Sequence, residues 1–293
     1  MYSQEKEYSF ELFTKSYSKE FNAMPQIFDI AQDYRGIMYF ANGDGFIEYD
    51  GLEWRKISLF PEIEINSIEA DTNGIIFAGG VNDFGYLGSS DSGRIEFLSL
   101  KRLLPDSIDF KRIQHVKILS NNKVFFQSKK YIFVYDGVIL NVIKCIPETN
   151  FRESFDFKDN YYVSYRDENY ASSRTYGLLK YENGNLIASE FGEKYRDFEI
   201  FGLLDFNDKD IVVTDQHGIY ENKNSDSLFL IDSSFLKHTL YRSLSVNNLF
   251  LSLGTFGDGV YLYDKNFKLT YKVNQSSGLL DGVIQCQFVD KDG

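Results

Sequence analysis

DYRGIMYF (33–40) and DTNGIIFAGG (71–80) are two copies of one unit: Asp, two variable residues, Gly, then a mostly apolar run. Each follows a short strand-like run, IFDIAQ (27–32) and INSIEA (65–70). A third copy, DKDG (290–293), follows VIQCQFV (283–289). Apolar run, Asp-x-x-Gly, apolar run is how a tight turn between two antiparallel strands reads. Weaker copies stand between these: LSNNKVFFQS, FKDNYYVSY, FNDKDIVVT and SVNNLFLSL.

The first apolar residues after these turns are Ile37, Ile75, Val124, Tyr161, Ile211 and Leu249. Their mean spacing is about 42 residues, the length of one four-stranded propeller blade. The chain therefore reads as all-β, a β-propeller of four-stranded antiparallel blades. Blades fall at about 27–60, 64–100, 110–146, 152–191, 197–232 and 240–273, with a partial one at 282–293. Six blades and the start of a seventh make residues 25–293 a single domain, and imply seven blades in a longer protein. The segment 1–24 precedes them, and its run YSFELF (8–13) is a candidate ring-closing strand. Few helical residues are expected, because helix-period runs are scarce.

Composition narrows the function. Hydrophobic residues make up 43% and aromatic residues 17%, ample for a packed core and inconsistent with disorder. The net charge of −12 repels phosphate backbones, so direct nucleic-acid binding is not expected. Cys145 and Cys286 lie far apart, with no CxxC or Cys/His spacing, so both read as buried thiols and no structural zinc is expected. No apolar run reaches the roughly 18 residues of a membrane span, and MYSQEKEYSFELF has no signal-peptide pattern.

The whole signature resembles the two-component regulator propeller repeat, whose consensus runs D-x-x-G-x-[IL]-W-[IV]-G-T and then G-[LI]-x-x-[YF]-[DN]. Blade one matches from Ile27 to Gly51, and blade two over NSIEADTNGIIFAGG (66–80). LGTFGDGVYLYD (253–264) repeats the second half, and GLLDGVIQCQFVDKDG (278–293) is similar to the lead-in strand. Blades three to five have lost the Asp/Gly turn. The usual Trp is Tyr39, Phe77, Phe125 or Leu251, and the only Trp is Trp54. The resemblance implies an extracytoplasmic sensor module of a membrane-anchored histidine kinase or transcription regulator. Membrane attachment would come only through a downstream helix, and the full receptor could be a homodimer.

Candidate ligand contacts come from the loops between second and third strands. GDG (43–45), GGVNDFG (79–85), DQHG (215–218) and GDG (257–259) occupy that place. They put Asn42, Asp44, Asp83, Phe84, Asp215, Gln216, His217, Phe256 and Asp258 on one rim, with the aromatics able to stack on a sugar ring. Each Gly-rich loop opens a strand rather than a helix, so a phosphate cradle is not indicated. His115, in RIQHVKIL, reads as an edge or core-flanking residue, and His238 as a connector. No GxSxG nucleophile, sialidase Asp-box or zinc motif occurs, so no catalytic residue, metal or cofactor is expected. The leading reading is a non-enzymatic propeller sensing a small molecule or oligosaccharide. The alternatives are a protein-interaction scaffold and, last, a carbohydrate-active propeller enzyme, which would need the rim acids to converge.

Overall fold

A computed structural model of the chain describes residues 18–59, 62–89, 93–168, 175–192, 194–215, 218–223, 228–233 and 239–291. The run 8–13, Gln216, His217 and His238 lie outside the described residues. A one-turn helix, α1 (Ser18–Phe21), leads into blade one: β1 (Ile27–Gln32), β2 (Met38–Asn42), β3 (Gly45–Tyr49) and β4 (Trp54–Ile57). Blade two is β5 (Ile65–Ala70), β6 (Ile76–Gly80), β7 (Phe84–Ser89) and β8 (Ile95–Ser99). Blade three is β9 (Ile113–Ile118), β10 (Val124–Ser128), β11 (Tyr131–Tyr135) and β12 (Leu140–Lys144). Blade four is β13 (Thr149–Phe157), β14 (Asn160–Asp167), β15 (Thr175–Glu182) and β16 (Asn185–Ala188). Blade five is β17 (Ile200–Phe206), β18 (Lys209–Thr214), β19 (Gly218–Glu221) and β20 (Phe229–Asp232). Blade six is β21 (Leu240–Val246), β22 (Phe250–Thr255), β23 (Val260–Tyr263) and β24 (Leu269–Val273). Every blade is an antiparallel sheet in chain order, and together the six form a β-propeller.

Second strands such as β6 and β10 are buried along their whole length, because a neighbouring blade covers each face. Fourth strands are mostly exposed, which is why they carry the charges of WRKI and LNVIK. Composition thus follows distance from the ring axis.

The Asp-x-x-Gly turns are held by their own carboxylates. Asp33 Oδ1 accepts from the backbone N–H groups of Arg35 (2.8 Å) and Ile37 (3.2 Å), and Asp71 Oδ1 from Asn73 (2.9 Å) and Ile75 (2.7 Å). Gly36 and Gly74 sit at φ +87° and +84°, the left-handed position this turn needs. Blades four to six solve the same turn with paired left-handed residues, Lys158-Asp159, Asn207-Asp208 and Asn247-Asn248. In blades four and five that is the two-residue hairpin geometry, while in blade six Leu249 adds a third loop residue before Phe250, and Asn and Asp tolerate the left-handed positions without glycine. The signature fades in blades four and five because the turn type has changed, and in blade three because Asn122, at φ +60°, takes the place of the glycine in an otherwise unchanged turn.

Five hydrophobic cores lie between consecutive blades. Ala31, Tyr39 and Phe46 meet Ile68 and Ile76 between blades one and two. Phe77 and Phe84 meet Phe126 and Phe133 between two and three. Phe125 stacks on Tyr161 at 4.2 Å and 7° between three and four. Tyr162 and Leu178 meet Leu203 and Tyr220 between four and five, and Ile211 and Val213 meet Leu251 and Leu253 between five and six.

Blades six and one meet differently. The segment from Val283 to Lys291 lies between them, in the place of a further blade's first strand. Ile284 N–H donates to Thr255 O (3.0 Å), and the Gln287 side chain bonds Ser252 Oγ and Arg242 O on the blade-six side. Lys291 N–H donates to Gln32 Oε1 (2.9 Å) on the blade-one side. The strand expected at 283–289 forms no ladder; its one bridge pairs Val283 with Phe256. A gap of about 460 Å³ remains outside it, bordered by Ile30 and Met38 on one wall and Leu244 and Val246 on the other.

Candidate functional site

Asp44, Asp83 and Asp258 each bond within their own blade, and Asn42 anchors the chain that leads into blade one. Asn42 is fully buried, and its Nδ2 donates to Met24 O (2.8 Å) and Gln26 O (2.7 Å). Asp44 pairs with Lys56 of β4 (3.2 Å), Asp83 accepts from Ser99 Oγ of β8 (2.6 Å), and Asp258 pairs with Lys272 of β24 (2.8 Å). All three partners are on fourth strands, so these carboxylates are tied toward the ring's periphery and away from one another's blades. Asp215 accepts from Leu240 N–H (3.4 Å), linking blades five and six. The stacking role expected of Phe84 is corrected: its ring is fully buried and stacks on Phe133 at 4.7 Å, so it belongs to the core. Phe256 is 60% exposed, beside Tyr241.

What converges lies on the first strands. Each carries a β-bulge opposite the end of its second strand: Phe28, Asn66, Gln114, the Arg152–Glu153 pair, Phe201 and Tyr241. A bulge re-aims side chains and is common at the rims of closed sheets. Repeated in all six blades, it rings the axis on the face of the turns between second and third strands. Behind the bulges, Asp29, Ser67, His115, Ser154, Gly202 and Arg242 line an axial cavity of about 340 Å³. One alternation deeper, Glu69, Lys117 and Asp156 face Leu204 and Leu244, so polarity concentrates on blades two to four.

Ion pairs and hydrogen bonds organise these groups. Glu153 faces both His115 (3.5 Å) and Arg242 (3.7 Å), and Lys117 pairs with Asp156 (3.1 Å). Asp29 accepts from Ser67 Oγ (2.7 Å) and Ile68 N–H (3.0 Å), while Ser67 Oγ accepts from Val116 N–H (3.0 Å). Burial pushes the Glu69 carboxyl up to about 8, with Lys117 opposing. Burial also holds His115 below the usual histidine value, against the pull of Glu153. Lys117 is raised, chiefly by Asp156. The Cys286 thiol is pushed up to about 12 by burial, so at neutral pH it is no thiolate nucleophile. Cys286 is half-buried and Cys145 fully buried; both are free thiols.

Two buried oxygens here have no hydrogen-bond partner, Asn66 Oδ1 and Gln114 Oε1, while the Ser154 hydroxyl is hydrogen-bonded to the Tyr161 phenol. The Ser154 hydroxyl offsets part of the upward push of burial on the Tyr161 phenol, yet that phenol gives its proton to Gln127 Oε1 (3.0 Å). Among the described residues no group of three His, Cys, Asp or Glu is placed to hold a metal ion.

His115 was expected at an edge or beside the core; it lines the cavity. Asp29, Glu69, Lys117, Glu153, Asp156 and Arg242 were not singled out from sequence. The signal was present: charged residues interrupt runs such as INSIEA and RIQHVKIL that otherwise pack inward.

No family model matches the chain, and no curated protein matches it. Solved structures do. The extracellular domain of a hybrid two-component system from B. thetaiotaomicron is 15% identical at a TM-score of 0.64, over 91% of this chain and 36% of that one. YCF48 bound to D1 peptide is 12% identical at 0.62, over 86% of this chain and 83% of the other. PorZ, a surface component of the type-IX secretion system of Porphyromonas gingivalis, is 15% identical at 0.61, over 89% and 43%. At these identities the likeness is one of fold, and the chain spans about a third of the length of the sensor domain it resembles.

Proposed function

We propose that this chain is the ligand-sensing input propeller of a membrane-anchored signalling receptor, working outside the cytoplasm and without catalysis. The observation that carries this reading is the axial cavity: six first strands, each bulged at the same point, bring side chains from every blade to one place. A ligand seated there contacts several blades at once and favours the blade arrangement it fits best. A downstream domain, or a second receptor subunit, then responds to that shift in population. The candidate ligand is a saccharide, with Phe256 at the rim and the cavity below. Aromatic faces and a few fixed polar groups in a concave site suit a sugar ring.

The cavity residues are arranged for binding rather than chemistry. Glu153 lies between the Arg242 guanidinium and the His115 imidazole, and His115 faces that carboxylate rather than a nucleophile. Titration calorimetry of the full chain against a panel of oligosaccharides tests the reading. Binding that is lost in Arg242→Ala, while the thermal transition is retained, supports it. Absence of binding across the panel, or turnover of any member, counts against it.

A further inference from the structure

We propose that Glu153 and Arg242, which meet at the ring axis from two non-adjacent blades, form a subsite for two neighbouring hydroxyl groups of an uncharged ligand. The inference rests on the reading that a ligand enters the axial cavity, and adds which of its groups is held and by what.

Glu153 stands at the bulge of β13 in blade four and Arg242 at that of β21 in blade six, so their contact skips blade five. The reach is short because β17 of blade five lies close against β21: a Cβ on Gly202 would collide with Ser243 Oγ. Both residues are set in place from behind. Ser164 Oγ accepts from Glu153 N–H (3.1 Å) and donates to Glu153 O (3.2 Å). Arg242 Nη1 donates to Tyr241 O (3.1 Å), and its guanidinium lies 5.0 Å from the Tyr241 ring, the neighbour of the exposed Phe256.

The pair itself is open. Glu153 Oε2 faces Arg242 Nη1 at 3.7 Å and His115 Nε2 at 3.5 Å, too far for a strong hydrogen bond to either. The Glu153 and Arg242 side chains are 23% and 34% exposed, so a ligand can reach them. An oxygen about 2.8 Å from each atom bridges the 3.7 Å span without moving them. A hydroxyl suits that place, because it donates to the carboxylate and accepts from the guanidinium at once. An ammonium group is attracted by Glu153 and repelled by Arg242, and a carboxylate the reverse. Glu153 Oε1, without a partner among the described residues, accepts from the neighbouring hydroxyl, which makes the bound group a vicinal diol. A ligand held in this way ties blade four to blade six, the kind of blade arrangement it can select.

NMR of the full chain, following the Arg242 Nε–H resonance, tests this with four probes that share one ring: cis-1,2-cyclohexanediol, cyclohexanol, cyclohexanecarboxylate and cyclohexylammonium. The diol is expected to shift the resonance and to bind at least about tenfold more tightly than the other three. Glu153→Gln is expected to weaken the diol by about tenfold, since it replaces a charged acceptor by a neutral one of the same shape. Equal affinity for all four probes, no shift with the diol at about 100 mM, or a diol affinity unchanged in Glu153→Gln overturns the proposal. Each of these does so even where an oligosaccharide binds the chain, so the subsite and the sensing reading fail separately.

Discussion

Blades three and four meet through Phe125 stacked on Tyr161, within a cluster of fully buried Ile132, Phe151 and Val163. Among the described residues, blades six and one face each other across one extended segment, and the side chains on those walls are mostly half-buried. Leu244, Val246 and Phe250 on one wall and Met38, Phe40 and Trp54 on the other are as apolar as the residues that fill the cores. Trp54 stacks on Tyr49 at 4.5 Å and is covered by Phe21 of α1, which shields part of the blade-one wall. Apolar side chains are therefore buried to different degrees, depending on whether a neighbouring sheet is present to cover them.

The sharpest way to break this comparison is to truncate one residue from each region. Phe125→Ala is expected to lower unfolding free energy by about 3–5 kcal/mol in urea titrations, as a buried aromatic leaving a cavity does. Leu244→Ala is expected to cost about 1 kcal/mol, because its site is already open to solvent on one side. Equal losses would show the gap to be as well packed as the cores.

A smaller effect is expected at the turn of blade one. Asp33→Ala removes two backbone acceptor bonds and the pairing with Arg35, and is expected to cost about 2 kcal/mol by the same measurement. Asn207→Gly, at a turn that needs no carboxylate, is expected to be close to neutral.

Glu69 gives a pH test inside the ring. Its folded pKa of about 8 lies above the ordinary value of 4.5, so the folded state prefers the protonated form. The stability associated with that preference is fully present below 4.5 and is lost as pH rises through about 8. His115 acts oppositely, because its lowered pKa makes acidification below its ordinary 6.5 destabilising. Comparing wild type with Glu69→Gln separates the two: the variant is expected to lose less thermal stability between pH 5 and pH 8. Parallel pH profiles would place Glu69 in water rather than in the ring.

The smallest effect is kinetic. Amides of residues 284–289 are expected to exchange hydrogen faster than those of β9, since the former lack a ladder. Equal protection would mean that the segment is held as firmly as the inner strands.

Asp33-x-x-Gly36 and Asp71-x-x-Gly74 made the blade legible, because that turn requires a side-chain acceptor and a left-handed residue at fixed places. Lys158-Asp159 and Asn207-Asp208 concealed it, since a two-residue turn meets the same geometric demand with other residues. The loops between second and third strands were recognised as loops, but the outward pairing of Asp44, Asp83 and Asp258 was not, because it depends on Lys56, Ser99 and Lys272 on the fourth strands. Asn66 and Gln114 read as ordinary polar residues in strands, and only the register of β5 and β9 against β6 and β10 shows them as bulges.

The order of residues by itself determined the repeat, the strand alternation and the turns, all of which depend on neighbours within one hairpin. Tertiary structure alone decided which polar side chains meet. Rotation about a common axis brings together residues such as Glu69, Lys117 and Asp156, one from each blade and about 40 residues apart in the chain. It holds equivalent rim residues apart for the same reason: on a ring, only positions near the axis converge.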